Sequence, residues 1–140
     1  MGDSIKLIIP GEPVAQGRPR FTKQGHAYDP PKSAHYKQYI IAVAKAAMRG
    51  KQPLSGTLGL SVRIYRSIPA SWPKHKKAAA LSGEIRPTSK PDTSNYIKGI
   101  EDALNGICWA DDSAIVDYLP PFGKWYSAEP RIEFEVVKID

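Results

Sequence analysis

Residues 57–66, TLGLSVRIYR, form the pattern that most constrains the fold. Apolar side chains occupy every second position, at Leu58, Leu60, Val62 and Ile64. A period of two places these side chains on one face of an extended chain, whereas a helix would distribute them around its circumference. The segment therefore predicts a half-buried strand, and the chain must supply a sheet and a covering layer for it.

Helical spacing predicts that covering layer. Residues 33–48 repeat apolar side chains with a helical period, with Ser33 as the expected N-cap, and residues 92–105 do the same before the stop signal Asn105-Gly106. A short helix is expected from Trp72-Pro73 to Leu81, ended by Gly83.

Further strands are predicted at both ends of the chain. They cover residues 4–10, 114–119 and 131–139, with short extended pieces near 20–22 and 26–28 and a Pro- and Gly-rich loop, PPFGKWYSAEP, before the last strand. Residues 1–140 are thus expected to form a single small domain of mixed α/β (α+β) class, with a mixed sheet packed against two main helices.

Charge is distributed unevenly along the chain. The net charge is +6, but residues 1–90 carry 16 Lys and Arg against 4 Asp and Glu, and residues 91–140 carry 4 against 10. The basic part favours a polyanionic partner such as nucleic acid, with a solvated basic surface as the alternative. Cys108 is the only cysteine, which excludes an internal disulfide and a cysteine zinc site. The sequence has neither a signal peptide nor an apolar run long enough to span a membrane, so a cytoplasmic protein without a membrane partner is expected.

The acidic part is concentrated in residues 90–117, KPDTSNYIKGIEDALNGICWADDSAIVD, which hold six carboxylates. A nuclease has use for carboxylates within a basic protein, because a divalent cation must be held against the scissile phosphate. Structural roles are open as well: Asp92 as a helix N-cap, Lys98 with Asp102 as a surface ion pair, and Asp111-Asp112 as an acidic turn.

The motifs KPD, Asn95, Lys98, DALNGICW and ADD, with GRPRF earlier in the chain, resemble RusA-type Holliday junction resolvases. The resemblance implies a RusA-like fold and a homodimer that cuts four-way DNA junctions with a divalent cation, Mg²⁺ or alternatively Mn²⁺, during recombination and repair. Members are often phage- or prophage-borne. Flaps or replication forks remain alternative substrates.

The resemblance also implies site residues. It assigns catalysis to Asp92, Lys98 and Asp112, with Asn95 matching the motif's asparagine. The expected metal ligands are Asp92 and Asp112, helped by Asp111 or Asp102, and these carboxylates are expected to converge in the fold. Trp109 is expected to be buried and to anchor the Asp pair. The expected DNA contacts are Arg18, Arg20, Lys23, Arg86 and Lys90.

Ser94 departs from the pattern, which has a second acid at this position. A hydroxyl is a weaker ligand than a carboxylate for a hard cation. Glu101 or Asp102 can supply the missing charge, and Asp102 is preferred because the DAL segment recurs in the resemblance. Otherwise Ser94 only caps the helix and the chain is a non-catalytic binder of branched DNA. A protein–protein adaptor with an incidental basic surface is a further alternative.

Overall fold

The structure is a computed structural model that describes residues 3–17, 20–28 and 30–139, and only the backbone of Arg20. The helices are α1 (Pro31–Ala47), α2 (Lys74–Ser82) and α3 (Thr93–Leu104), and a single 3₁₀ turn covers Asp112–Ala114. The strands are β1 (Ser4–Pro10), β2 (Arg20–Phe21), β3 (Ala27–Tyr28), β4 (Leu58–Arg66), β5 (Ile115–Tyr118), β6 (Gly123–Tyr126) and β7 (Arg131–Lys138).

The main sheet is mixed, as predicted. Its order is β1-β7-β4-β5, with β6 on the same edge of β4 as β5 but farther along the strand. β7 runs antiparallel to both β1 and β4, whereas β5 and β6 run parallel to β4. β2 and β3 form a separate antiparallel ribbon.

The predicted strand at residues 57–66 lies in the centre of this sheet. Leu58, Leu60, Val62 and Ile64 are fully buried in one hydrophobic core together with Phe134 of β7. The same core takes residues from α1 and α3, which pack against one another. The prediction of a mixed sheet packed against two main helices is therefore confirmed.

Two local predictions were wrong. Ser33 is not the N-cap of α1: the helix begins at Pro31, and the Ser33 hydroxyl donates to the Pro30 carbonyl at 3.1 Å from within the first turn. The segment predicted as a Pro- and Gly-rich loop contains β6, whose four residues pair with Arg63–Arg66 of β4. These four residues are too few to show a period of two, so the sequence did not predict the strand. They adopt an extended conformation by pairing with β4. Across the part of the chain that the structure describes, no helix is both long and apolar enough to cross a membrane.

Candidate active site

Helix α3 presents the acidic motif to solvent because its apolar residues face the core. The buried positions are Tyr96, Ile97, Ile100, Ala103 and Leu104. A period of 3.6 residues then directs Ser94, Asn95 and Lys98 outward, and none of the three is buried. The motif's polar side chains therefore share the accessible side of one rigid element.

Asp92 occupies the N-cap position of α3 by its backbone, with φ −66° and ψ 149°. Its carboxylate makes no capping hydrogen bond, although this is the structural role that an Asp at this position usually has. The side chain is exposed. Asp92 therefore retains its acceptor oxygens for a ligand.

An open cleft of about 720 Å³, which we call the N-terminal cleft, lies at this end of α3. It is lined by Ala15, Gln16, Gly17, Lys90, Pro91, Asp92, Asn95 and Lys98. The Gln16 amide donates to the Asn95 carbonyl at 3.3 Å, which ties the segment before β2 to the first turn of α3. Two lysines, one carboxylate and two side-chain amides thus line one open space.

A second cleft, the tyrosine cleft, lies farther along the same helix. It is lined by Thr93, Ser94, Ile97, Lys98, Glu101, Tyr118 and Phe122. The Tyr118 hydroxyl donates to Glu101 Oε2 at 2.7 Å, and the Tyr118 ring stacks on Phe122 with ring centroids 4.7 Å apart. Lys98 lines both clefts and therefore lies between them.

Among the acids of this region, Glu101 has a pKa that its surroundings clearly raise. Partial burial raises the pKa of Glu101, and the negative charges of Asp112 and Asp102 raise it further, while the Tyr118 hydrogen bond and Lys98 lower it. Burial and the hydrogen bond to Glu101 raise the pKa of Tyr118 to about 12, so Tyr118 keeps the proton that it donates. Asp112 therefore lies close enough to Glu101 for its negative charge to raise the pKa of Glu101.

Asp112 is held by its surroundings, as the sequence predicted for the Asp pair. Trp109 is fully buried, and its indole Nε1 donates to Asp112 Oδ1 at 2.6 Å. The Asp112 backbone amide donates to Asn105 Oδ1 at 3.0 Å, which joins this turn to the end of α3. Asp111 Oδ1 instead accepts the Ser113 amide at 3.3 Å and caps the 3₁₀ turn.

The four carboxylates predicted as metal ligands do not lie in one group. Asp92 precedes the first turn of α3 and Asp112 is bonded to the residue after its last turn; a helix of twelve residues is about 18 Å long. Within residues 3–17, 20–28 and 30–139, no three Asp, Glu, His or Cys residues are arranged to hold a metal ion. Asp102, the preferred substitute for the missing acid, lines neither cleft, whereas Glu101 lines the tyrosine cleft together with Ser94.

The structure describes the side chains of three of the five predicted DNA contacts. Lys90 lines the N-terminal cleft, and Lys23 is exposed in the turn between β2 and β3. The Arg86 guanidinium lies over the Trp125 ring, 4.2 Å from its centroid, and its Nε donates to the Lys124 carbonyl at 3.1 Å. Arg18 and the side chain of Arg20 lie outside the described residues.

Two cations that the sequence analysis missed hold the segment before α3. Lys124 Nζ donates to the Ser89 carbonyl at 2.9 Å and to the Pro91 carbonyl at 2.8 Å, and Arg66 Nη1 donates to the Ser89 carbonyl at 3.1 Å. Burial and the positive charge of Arg66 lower the pKa of Lys124, while Asp92 raises it. The strands β4 and β6 thereby position the backbone from which Lys90 and Asp92 project. A lysine in an apparent loop gives no sequence signal of this role.

Comparison with known proteins places these features in a family. A family model described as endodeoxyribonuclease RusA matches residues 10–137. A Bacillus subtilis (strain 168) protein, described as uncharacterized protein YqaN, is 43% identical over 142 residues and is aligned over 98% of each chain. The match covers nearly the whole chain, including α3, both clefts and the Trp109–Asp112 turn. The chain belongs to the RusA endodeoxyribonuclease family.

Proposed function

We propose that this protein is a metal-dependent endodeoxyribonuclease that resolves four-way DNA junctions by paired phosphodiester hydrolysis. The observation that carries the proposal is the position of Lys98 between two clefts that each contain a carboxylate, Asp92 in one and Glu101 in the other. A lysine between carboxylates suits a phosphodiester, because the ammonium binds phosphate while the acids serve a divalent cation.

The donor set suits Mg²⁺, and Mn²⁺ accepts the same oxygen ligands. Mg²⁺ keeps several waters and needs only one or two carboxylates from the protein, so Glu101 and Asp112 suffice as its charged ligands. Burial raises the pKa of Glu101 most and the negative charge of Asp112 raises it further, and a bound cation would offset that negative charge. Asp92 and Asn95 supply further oxygen atoms in the N-terminal cleft. The cation would act as a Lewis acid and make a bound water a better nucleophile.

Each of the other side chains has a separate task. Lys98 stabilises the negative charge that develops on the scissile phosphate. Lys90 binds the neighbouring phosphate of the same strand. Tyr118 orients Glu101, and Trp109 fixes Asp112, so that neither carboxylate must be ordered when the substrate arrives.

The symmetry of a four-way junction leads us to propose that the protein acts as a homodimer. Resolution of a junction requires two matched nicks, and two equivalent sites related by a twofold axis match that symmetry. Analytical ultracentrifugation should therefore give the mass of a protein dimer without DNA, and the mass of one dimer plus one junction when the junction is added.

One observation favours a second candidate function, a non-catalytic binder of branched DNA. Ser94 lines the tyrosine cleft at the position where the family motif has an acid, which leaves this cleft with one carboxylate fewer. Such a protein would retain the basic surface and bind junctions without cutting them.

A synthetic four-way junction, labelled on each strand in turn, tests the two candidates. The proposal predicts paired nicks that appear on addition of Mg²⁺ and disappear with excess EDTA, and no nicks in a linear duplex of the same sequence. Tight binding without nicks would favour the non-catalytic binder. Flap and fork substrates in parallel reactions test the junction preference, and faster cutting of either would contradict it.

A further inference from the structure

The ribbon formed by β2 and β3, residues 20–28, presents two aromatic side chains that the core does not use. Phe21 is 69% exposed, more than any other large apolar side chain in the described part of the chain, and Tyr28 is 46% exposed. The strands pair Arg20 with Tyr28 and Phe21 with Ala27. Neighbouring residues of a strand face opposite ways, so the two rings lie on opposite faces of the ribbon.

The turn of the ribbon is ordered by its own hydrogen bonds. The Thr22 amide donates to the His26 carbonyl at 2.9 Å, the Gly25 amide to the Thr22 carbonyl at 2.9 Å, and the His26 amide to Thr22 Oγ1 at 3.1 Å. Gly25 has φ +84°, which a residue with a side chain rarely adopts. Phe21 is therefore held immediately before a formed turn.

The base of the ribbon is fixed beside the N-terminal cleft. Gln16 is bonded to Asn95 of α3, and Gly17 lies so close to Pro30 that a Cβ atom would come within 2.9 Å of Pro30 Cγ. Ala15, Gln16 and Gly17 also line the cleft itself. A ligand that occupies the cleft thus lies next to the point from which the ribbon emerges.

The charge of the ribbon is complementary to nucleic acid. Residues 20–28, RFTKQGHAY, contain Arg20, Lys23 and His26 and no acid. Aromatic rings next to basic side chains are the combination that binds unpaired nucleotides, because bases stack on the rings while the cations contact phosphates. A two-stranded ribbon contributes little stability by itself, so exposed aromatic rings on it are not explained by folding.

From these observations we propose that the β2–β3 ribbon recognises the branch point of the DNA, with Phe21 stacking on a base that is exposed where the arms meet. Lys23 contacts a phosphate at the same place. The inference rests on the proposed function, since it names the element by which that same site distinguishes branched DNA from a duplex.

Binding measured in EDTA tests the ribbon independently of cleavage. Fluorescence anisotropy would compare a four-way junction with a linear duplex for the wild type, Phe21→Ala and Phe21→Trp. Because Phe21→Ala would lose the stacking of one base, we expect it to weaken junction binding about tenfold and duplex binding less than about twofold. Phe21→Trp keeps an aromatic ring at this position and should bind the junction like the wild type. Ile8→Ala is the matched control, because Ile8 is 49% exposed on β1 and should leave both affinities unchanged.

A 2-aminopurine placed at the branch point gives a direct readout of stacking. The wild type and Phe21→Trp should change its fluorescence, and Phe21→Ala should not. The proposal would be overturned if Phe21→Ala bound the junction as tightly as the wild type or lost affinity equally for both DNAs. It would also be overturned if the wild type did not prefer the junction, or if Phe21→Ala changed the oligomeric mass but not the ratio of junction affinity to duplex affinity. Binding with this selectivity but no cleavage in Mg²⁺ would instead refute the proposed nuclease and leave the ribbon assignment standing.

Discussion

The indole N–H of Trp109 donates to the Asp112 carboxylate at 2.6 Å, from a ring that is fully buried against Phe134. A core residue thereby fixes an acid at the surface of the candidate site. Because the ring cannot move without disturbing the core, the carboxylate retains one orientation. Its second oxygen, Oδ2, is not used by this bond.

Trp109→Phe is expected to keep much of the ring's packing and lose the hydrogen bond. Hydrogen bonds to charged groups contribute about 2 kcal/mol, so the free energy of unfolding should fall by at least about that amount. Urea denaturation measures the loss. The same change at Trp72, which is only partly buried and packs edge-on against Tyr126, should have a smaller effect. Equal losses for the two variants would contradict the anchoring role.

Ser94→Asp should strengthen the metal site. The new carboxylate would line the tyrosine cleft with Glu101, and each added ligand charge raises the affinity for a divalent cation, so the Mg²⁺ midpoint for cleavage should fall on the order of tenfold. Ser82→Asp, at the exposed end of α2, serves as the control for added charge. An unchanged or higher Mg²⁺ midpoint would show that the tyrosine cleft does not hold the cation.

Tyr118→Phe should change how cleavage depends on pH. The Tyr118 hydrogen bond lowers the pKa of Glu101, so its removal raises that pKa further. The proposed mechanism requires ionised Glu101, and the acid limb of the rate profile should therefore move to higher pH in Tyr118→Phe. An acid limb that stays in place or moves to lower pH would show that ionisation of Glu101 does not control the rate of cleavage.

The raised pKa of Glu101 makes the free energy of unfolding fall as pH rises, whereas a salt-bridged acid, whose pKa is lowered, makes it rise. Between the ordinary pKa of Glu and the raised folded value, the native state binds more protons than the unfolded state, so stability falls as pH rises through that window. Glu101→Gln should flatten this slope in thermal denaturation without metal. A steeper slope would contradict the burial of Glu101.

Lys124→Met tests the support of the segment before α3. Two hydrogen bonds, to Ser89 and Pro91, are lost, and the backbone that carries Lys90 and Asp92 becomes less ordered. We expect kcat to fall on the order of tenfold, with junction affinity changed less than about twofold, because misplaced groups slow chemistry more than they weaken binding. Lys124→Arg should recover part of kcat, and Lys138→Met, at the exposed end of β7, should change neither quantity. A loss confined to binding would make Lys124 a simple DNA contact.

The sequence predicted the helices and strands whose side chains repeat with a local period. It did not predict the strand and the hydrogen bonds that form only between residues far apart in the chain. The alternation of β4 and the helical spacing of α3 are local, and both were predicted closely, as was the burial of Trp109. β6 escaped detection because its four residues form a strand only against β4. The spacing of Ser94, Lys98 and Glu101 already placed them on one face of α3, so Glu101 could have been preferred to Asp102. The link between Lys124 and the segment before α3 joins residues 33 and 35 positions apart, and no local pattern reports it.

Substitution of Asp112 by asparagine separates DNA binding from metal-dependent cleavage. The asparagine side chain retains an oxygen for the Trp109 bond and nearly the same shape, but it lacks the charge needed for the cation. We expect Asp112→Asn to bind a four-way junction like the wild type and no longer to nick it in Mg²⁺. The control Asp117→Asn, at an exposed position of β5, should cut normally. Continued Mg²⁺-dependent paired nicking by Asp112→Asn would show that the Asp112 carboxylate does not hold the cation.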